Sequence, residues 1–265
     1  MKQIRSIFEF YVHSSMHVGL AVVSLFAVTS FQFEIALDPL LYFCGFAATV
    51  LGYNTIKHNW VRKGKYLFLP TRYPILVWSL IIFLCLVFWF LSWPQKGVFL
   101  AISMMGFFYA YPFQKGKVNL RNQRKIKIYW VAVVWALFTV CFPIVDQTVD
   151  LIFAISVFAH RFVFILCATL PFEIRDLKTD AVELRTWPQR FGVLKTKILG
   201  TVGILLSVFF SLAAQWQPIE ITLCVHSFLW FGLLRASSSQ NAYYSSFWME
   251  GIPILWLLLS WLIKH

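Results

Sequence analysis

The feature that most limits this chain is a series of apolar windows, each about 17 to 23 residues long, that recurs along its whole length; each is long enough to cross a hydrocarbon core of roughly 30 Å. A backbone inside lipid has to satisfy its own N–H and C=O groups, which leaves helices and closed barrels as the structures that can span. Barrel strands alternate apolar and polar residues, and these runs do not. The stretch IYWVAVVWALFTVCFPIV, from Ile128 to Val145, carries no charge at all. The chain therefore reads as all-α and polytopic, a single transmembrane helical domain over residues 1–265. A composition that is 60% hydrophobic and 19% aromatic agrees. No soluble globular domain needs so much apolar surface.

Spans near 12–31, 37–56, 73–93, 97–113, 128–147, 150–172, 195–215, 218–236 and 246–263 give nine helices. Lys2 and Arg5 ahead of an apolar segment resemble a signal peptide, but the segment is long and more spans follow, so it is read as the first helix. The formal charge of +12 would suit nucleic acid if it were spread over a soluble face. Instead it alternates from loop to loop. Basic residues gather before the first span, between the second and third (Lys57 to Arg72), around Lys115 to Lys127, and from Arg175 to Lys197, while the opposite loops hold mostly Glu34, Asp38, Asp146, Asp150 and Glu220. The positive-inside rule then puts the N-terminus in the cytoplasm and the C-terminus on the other side. Its partners are membrane lipids, not nucleic acid. The five cysteines sit singly inside apolar runs, so inert thiols are expected, not a metal or disulfide framework.

Chemistry concentrates in PFEIRDLKTDAVELRTWPQRFG, Pro171 to Gly192. On a continuous helix Glu173, Asp176, Asp180 and Glu183 fall within about 80° of one another. Like charges three and four residues apart repel unless a cation lies between them, and Mg²⁺ bound with a phosphate ligand is one such cation. A solvated acidic helix end balanced by Arg175, Lys178, Arg185 and Arg190 is the other reading. Elsewhere His13 and His17 stand four apart, as do Asn54 and His58 where the second span leaves the membrane. The fourth span exits through FFYAYPFQKGK, with Tyr109 at the edge and Lys115 and Lys117 beyond. These lysines could meet an anion or anionic lipid. Arg161 lies deep in the sixth span, where a guanidinium requires a partner or a wet cavity; Glu250 is one candidate.

Three stretches resemble the UbiA-type intramembrane prenyltransferases, nine-helix proteins with a cytoplasm-facing cavity; one of them is the run KIKIYWVAVVWALFTVCFPI, which looks like that family's fifth helix. Asp176 and Asp180 in EIRDLKTD match that family's second aspartate motif, D-x-x-x-D, and Thr186, Pro188 and Gly192 match the tail that follows it. The exit of the fourth span, with Tyr109, Pro112, Lys115 and Lys117, is similar to its Y-S-x-P-x-x-R-x-K pattern, with Ala110 in place of Ser. The first motif, N-D-x-x-D-x-x-x-D, departs: aligned on Asn54, its aspartate positions hold Thr55, His58 and Arg62. The resemblance implies transfer of an isoprenyl group from an allylic prenyl diphosphate to an aromatic or other lipid-soluble acceptor, in a bacterial inner membrane. Mg²⁺ would sit on Asp176 and Asp180 with Glu173 nearby, and Lys117 and Tyr109 would join the catalytic set. Asn54, Lys57, His58, Arg62, Lys115 and Arg175 would bind substrate, three of them replacing the lost metal ligands with side-chain charge. The alternative is a non-catalytic scaffold that holds an isoprenoid, a quinone or a partner helix.

Overall fold

A computed structural model describes residues 2–57, 61–62, 65–66, 74–111, 120–123, 125–214 and 218–264. Within them the chain is helical apart from connections and one antiparallel pair of two-residue strands, β1 (Val61–Arg62) and β2 (Lys65–Tyr66). The helices are α1 (Lys2–His13), α2 (Met16–Phe33), α3 (Pro39–Lys57), α4 (Pro74–Phe90), α5 (Trp93–Ala110), α6 (Lys127–Ile144), α7 (Leu151–Arg175), α8 (Trp187–Ala213), α9 (Ile219–Arg235) and α10 (Ile252–Lys264). A π segment, Tyr244–Met249, leads into α10. Among the described residues, α2, α3, α6, α7, α8 and the Tyr244–Ile263 segment are long and apolar enough to cross a membrane. Every expected window holds a helix, but α4 is shorter at 17 residues and α5 and α9 do not qualify on the same measure.

The outer surface explains why such a chain needs lipid. Trp89, Phe90 and Trp93 are 79%, 78% and 83% exposed, and Ile75 reaches 85%. Apolar exposure on this scale is unfavourable in water and ordinary against acyl chains. The interior centres on α7, whose Phe164, Ile165, Cys167, Leu170 and Ile174 pack among side chains from α2, α6, α8, α9 and α10. A second cluster joins Val22 and Phe26 of α2 to Leu41 and Cys44 of α3, Val87 of α4 and Phe138 and Phe142 of α6. Small residues let these backbones approach. At Gly200 of α8 a Cβ would stand 2.5 Å from a Leu233 methyl and 2.6 Å from one of Leu170.

Helix irregularities in the membrane are answered by neighbouring side chains. Pro143 has no N–H to offer the carbonyl of Thr139 four residues earlier, and α6 opens into a π turn over Leu137–Cys141. Thr29 of α2 donates its hydroxyl to that carbonyl at 2.7 Å. At the start of the chain, Ser15 adopts φ 67° just inside the expected first span of 12–31, so that span is α2, preceded by the separate helix α1. His13 and His17 consequently do not share a helix face. His17 Nε2 donates to the Phe247 carbonyl at 2.8 Å, since a carbonyl can only accept, and its Nδ1 then takes the Tyr11 hydroxyl at 2.8 Å. Both ring nitrogens are used in tying α1 and α2 to the Tyr244–Met249 segment.

The acidic stretch is also reorganised. It is not one helix face: α7 ends at Arg175, Asp176–Lys178 and Val182–Leu184 are separate 3₁₀ turns, and Arg185 at φ 48° redirects the chain. Splitting the acids between turns relieves the repulsion a continuous helix would impose, and leaves Glu183 exposed on the surface. The seventh span then begins at Trp187, earlier than the expected residue 195. Gln189 reaches back to the Thr186 N–H at 3.0 Å, Pro188 sits in the first turn, and Gly192 kinks the helix at φ 77°. Thr186, Pro188 and Gly192, the residues of the family-like tail, thus build the start of α8.

Candidate functional site

Where α3, α5, α6, α7 and the segment before α10 converge there is a cavity of about 340 Å³. Four cations line it: Lys57 at the end of α3, Arg121 before α6, Lys127 at the first position of α6 and Arg175 at the last of α7. Glu173, Asp176 and Glu250 face the same space with the phenol of Tyr109. The helix ends explain this composition. A charged side chain at a terminus can reach water or a headgroup, whereas one in mid-span cannot.

Two apolar cavities adjoin it. One, of about 380 Å³, runs between α2, α3, α4, α5 and α6 and is lined by residues such as Ala48, Leu84, Phe99, Ile102, Phe107 and Phe138. The other, of about 140 Å³, lies between α6, α7 and α10. Tyr53 and Trp135 line all three. Their side chains are bonded, the Trp135 indole N–H donating to the Tyr53 oxygen at 3.2 Å. This pair stands where the polar chamber adjoins the larger apolar cavity and the smaller one, the short branch.

Three of the four carboxylates of the acidic stretch are already engaged. Arg175 forks onto Asp176, Nε to Oδ1 at 2.7 Å and Nη2 to Oδ2 at 3.0 Å. Lys127 reaches Asp180 at 2.9 Å. Glu173, 4% exposed, accepts the Trp187 backbone N–H at 3.3 Å, with the Lys127 charge compensating its burial. Among the described residues no group of three or more His, Cys, Asp or Glu side chains is placed to hold a metal ion. A cation taking Asp176 and Asp180 as ligands would compete there with Arg175 and Lys127.

Of the residues singled out in the sequence, Tyr109, Lys57, Glu173, Arg175 and Asp176 line the polar cavity, and Asp180 is tied to it through Lys127. Asn54 is not part of the lining. It is buried, and its amide donates to the carbonyls of Ser14 at 2.7 Å and Val50 at 2.8 Å, fastening the break between α1 and α2 to α3. His58, Lys115 and Lys117 lie outside the described residues, and Arg62 is described only through its backbone in β1. Glu250 does not pair with Arg161. The Arg161 guanidinium takes the Thr139 hydroxyl and the Gln32 amide oxygen at 3.0 Å each, with Thr29 at 3.3 Å and the Leu25 carbonyl at 3.4 Å, and lies over the Trp256 ring. Sequence reasoning missed Tyr53, Trp135, Arg121 and Lys127 as members of the site. An isolated carboxylate at the start of an apolar run was the signal for Glu250; the others have no local signature. No protein-family model, curated protein or solved structure matches this chain.

Proposed function

We propose that this protein transfers an isoprenyl group from an allylic prenyl diphosphate to a lipid-soluble acceptor, as the resemblance to the UbiA-type enzymes implies. The observation that carries the reading is a charged chamber, lined by four cations and three carboxylates, beside a larger apolar cavity with which it shares Tyr53, Ile56, Gly106, Val134 and Trp135. An amphiphile with a doubly ionised head and a hydrocarbon tail satisfies both parts at once. The tail gains about 25 cal/mol for each Å² removed from water, and the head meets charge-assisted hydrogen bonds from side chains that need no metal to be cationic.

The ion pairs suggest how head and metal would enter together. Arg175 and Lys127 would exchange Asp176 and Asp180 for phosphate oxygens, and the two freed carboxylates would hold Mg²⁺. When bound, the metal would supply positive charge at the departing diphosphate. Lys57 and Arg121 would add to that stabilisation from the opposite wall, where charge development in a water-poor chamber makes a fixed cation most effective. Tyr109 would sit beside the head. The cavity would face the cytoplasm, with the N-terminus on the same side. The deciding experiment combines titration with radiolabelled turnover of the purified full chain in lipid nanodiscs, using geranyl, farnesyl and geranylgeranyl diphosphates with and without Mg²⁺. Mg²⁺-dependent binding and a prenylated product are expected. Absence of both would favour the non-catalytic scaffold.

A further inference from the structure

The polar chamber and the short apolar branch share one carboxylate. Glu250 lines both, and it lies between the π segment and α10. Its backbone N–H is fixed to the Ser245 carbonyl at 3.1 Å. Its side chain, in contrast to those of Asp176, Asp180 and Glu173, makes no hydrogen bond or ion pair with any described residue; Lys57 and Arg175 act on it only as neighbouring charges. The remaining wall of the short branch is apolar, with Val131, Ile165, Ala168, Phe172, Met249 and Pro253. Two hydroxyls also line it: Thr169 donates to the Leu166 carbonyl at 2.8 Å, and the Tyr53 phenol accepts the Trp135 indole N–H at 3.2 Å. At about 140 Å³ the branch matches an apolar cavity of about 150 Å³ that accommodates a single benzene ring.

We propose that Glu250 is a catalytic residue, the base that takes the proton from an acceptor seated in the short branch. The inference rests on the prenyl-transfer reading. The step balances as follows. The C1–O bond of the allylic diphosphate breaks and its electron pair leaves with the diphosphate. The acceptor gives an electron pair from oxygen or a ring carbon to C1, and the proton it then sheds goes to a Glu250 carboxylate oxygen, from which it returns to solvent through the polar chamber. A carboxylate that lines both compartments can do this; Glu173 and Asp176 line the polar chamber alone, and Asp180 lines neither. π segments recur at functional sites, which suits its position.

The test uses the full chain in nanodiscs with radiolabelled geranyl, farnesyl or geranylgeranyl diphosphate and hydroquinone as a single-ring acceptor. Glu250→Gln, which keeps the shape and removes the basicity, should slow ring prenylation by about a hundredfold or more, the range of general-base effects. It should bind the same prenyl diphosphate no more weakly than wild type, because a negative charge has left a chamber that takes an anion. In Glu250→Ala, added formate should restore at least about a tenth of the lost rate, a recovery that a merely structural role would not produce. Wild-type rates in Glu250→Gln, or formate without effect on a Glu250→Ala protein that still binds prenyl diphosphate, would overturn the role of Glu250 and leave prenyl transfer standing. A wild type that binds prenyl diphosphate but prenylates no ring would do the same. If wild type neither binds nor transfers, both readings fall together.

Discussion

Arg161 offers the clearest measurement of how this fold tolerates charge inside the membrane. The side chain is fully buried in α7 with no carboxylate among its contacts, and five groups surround it: Thr139, Gln32, Thr29, the Leu25 carbonyl and the Trp256 ring. Two of the hydrogen bonds, at 3.0 Å, have good length, and bonds from a charged donor are worth about 1.5 to 3 kcal/mol each, or roughly 3 to 6 together. Holding a guanidinium at mid-span costs about 2.5 to 3.5 kcal/mol on insertion scales. The difference, about 0 to 3 kcal/mol, predicts that Arg161→Met, which retains most of the volume, loses no more than about 3 kcal/mol. The two threonines keep their own donors satisfied, since Thr29 bonds the Thr139 carbonyl and Thr139 bonds the Trp135 carbonyl at 2.7 Å each. Arg161→Ala removes the packing as well and should lose about 4 kcal/mol, as large buried truncations do. Reversible unfolding in mixed micelles, followed by tryptophan fluorescence, measures both. Equal losses in the two variants would refute the offset between bonding and desolvation. Arg161 lines none of the three cavities, so prenyl diphosphate affinity should be unchanged in Arg161→Met.

Gly200→Ala places a methyl within 2.6 Å of Leu233 and Leu170 side chains, and should destabilise by about 1 to 3 kcal/mol in the same unfolding assay; a neutral result would show that α8 can shift freely against α7 and α9. Asp180→Asn weakens a pair with Lys127 whose side chains are 22% and 20% exposed and should cost about 1 kcal/mol of stability, yet slow the proposed Mg²⁺-dependent transfer by about a hundredfold or more. Wild-type turnover by Asp180→Asn at limiting Mg²⁺ would take Asp180 out of the metal site.

Much of the site was legible because it follows from helix ends. Arg175, Asp176 and Lys57 are charges at the close of apolar runs, and such charges gather where the chain leaves the membrane, so their clustering at one level follows from hydropathy alone. Nothing in hydropathy says which carboxylate meets which cation. Lys127 reads in sequence as one more basic loop residue, and only the approach of α6 to the turn after α7 brings it to Asp180. The same limit explains Asn54. Its position near a helix end suits a ligand contact, but the unforeseen break at Ser15 presents a carbonyl at Ser14 that captures the amide.

The sequence by itself determined that the chain is helical, that its apolar surface requires lipid, and roughly where each helix lies, because these depend on the length and polarity of local runs and on the need to bond the backbone internally. Tertiary structure alone decided the three adjoining cavities, the Tyr53 and Trp135 pair between them, the neutral nest around Arg161 and the place of Glu250 on two of those cavities. Each depends on the rotation of a helix about its own axis, and in a chain this uniformly apolar almost every face of a helix can meet either lipid or protein. Close packing at a few small residues and buried polar contacts set that rotation, and they are properties of pairs of helices distant in sequence.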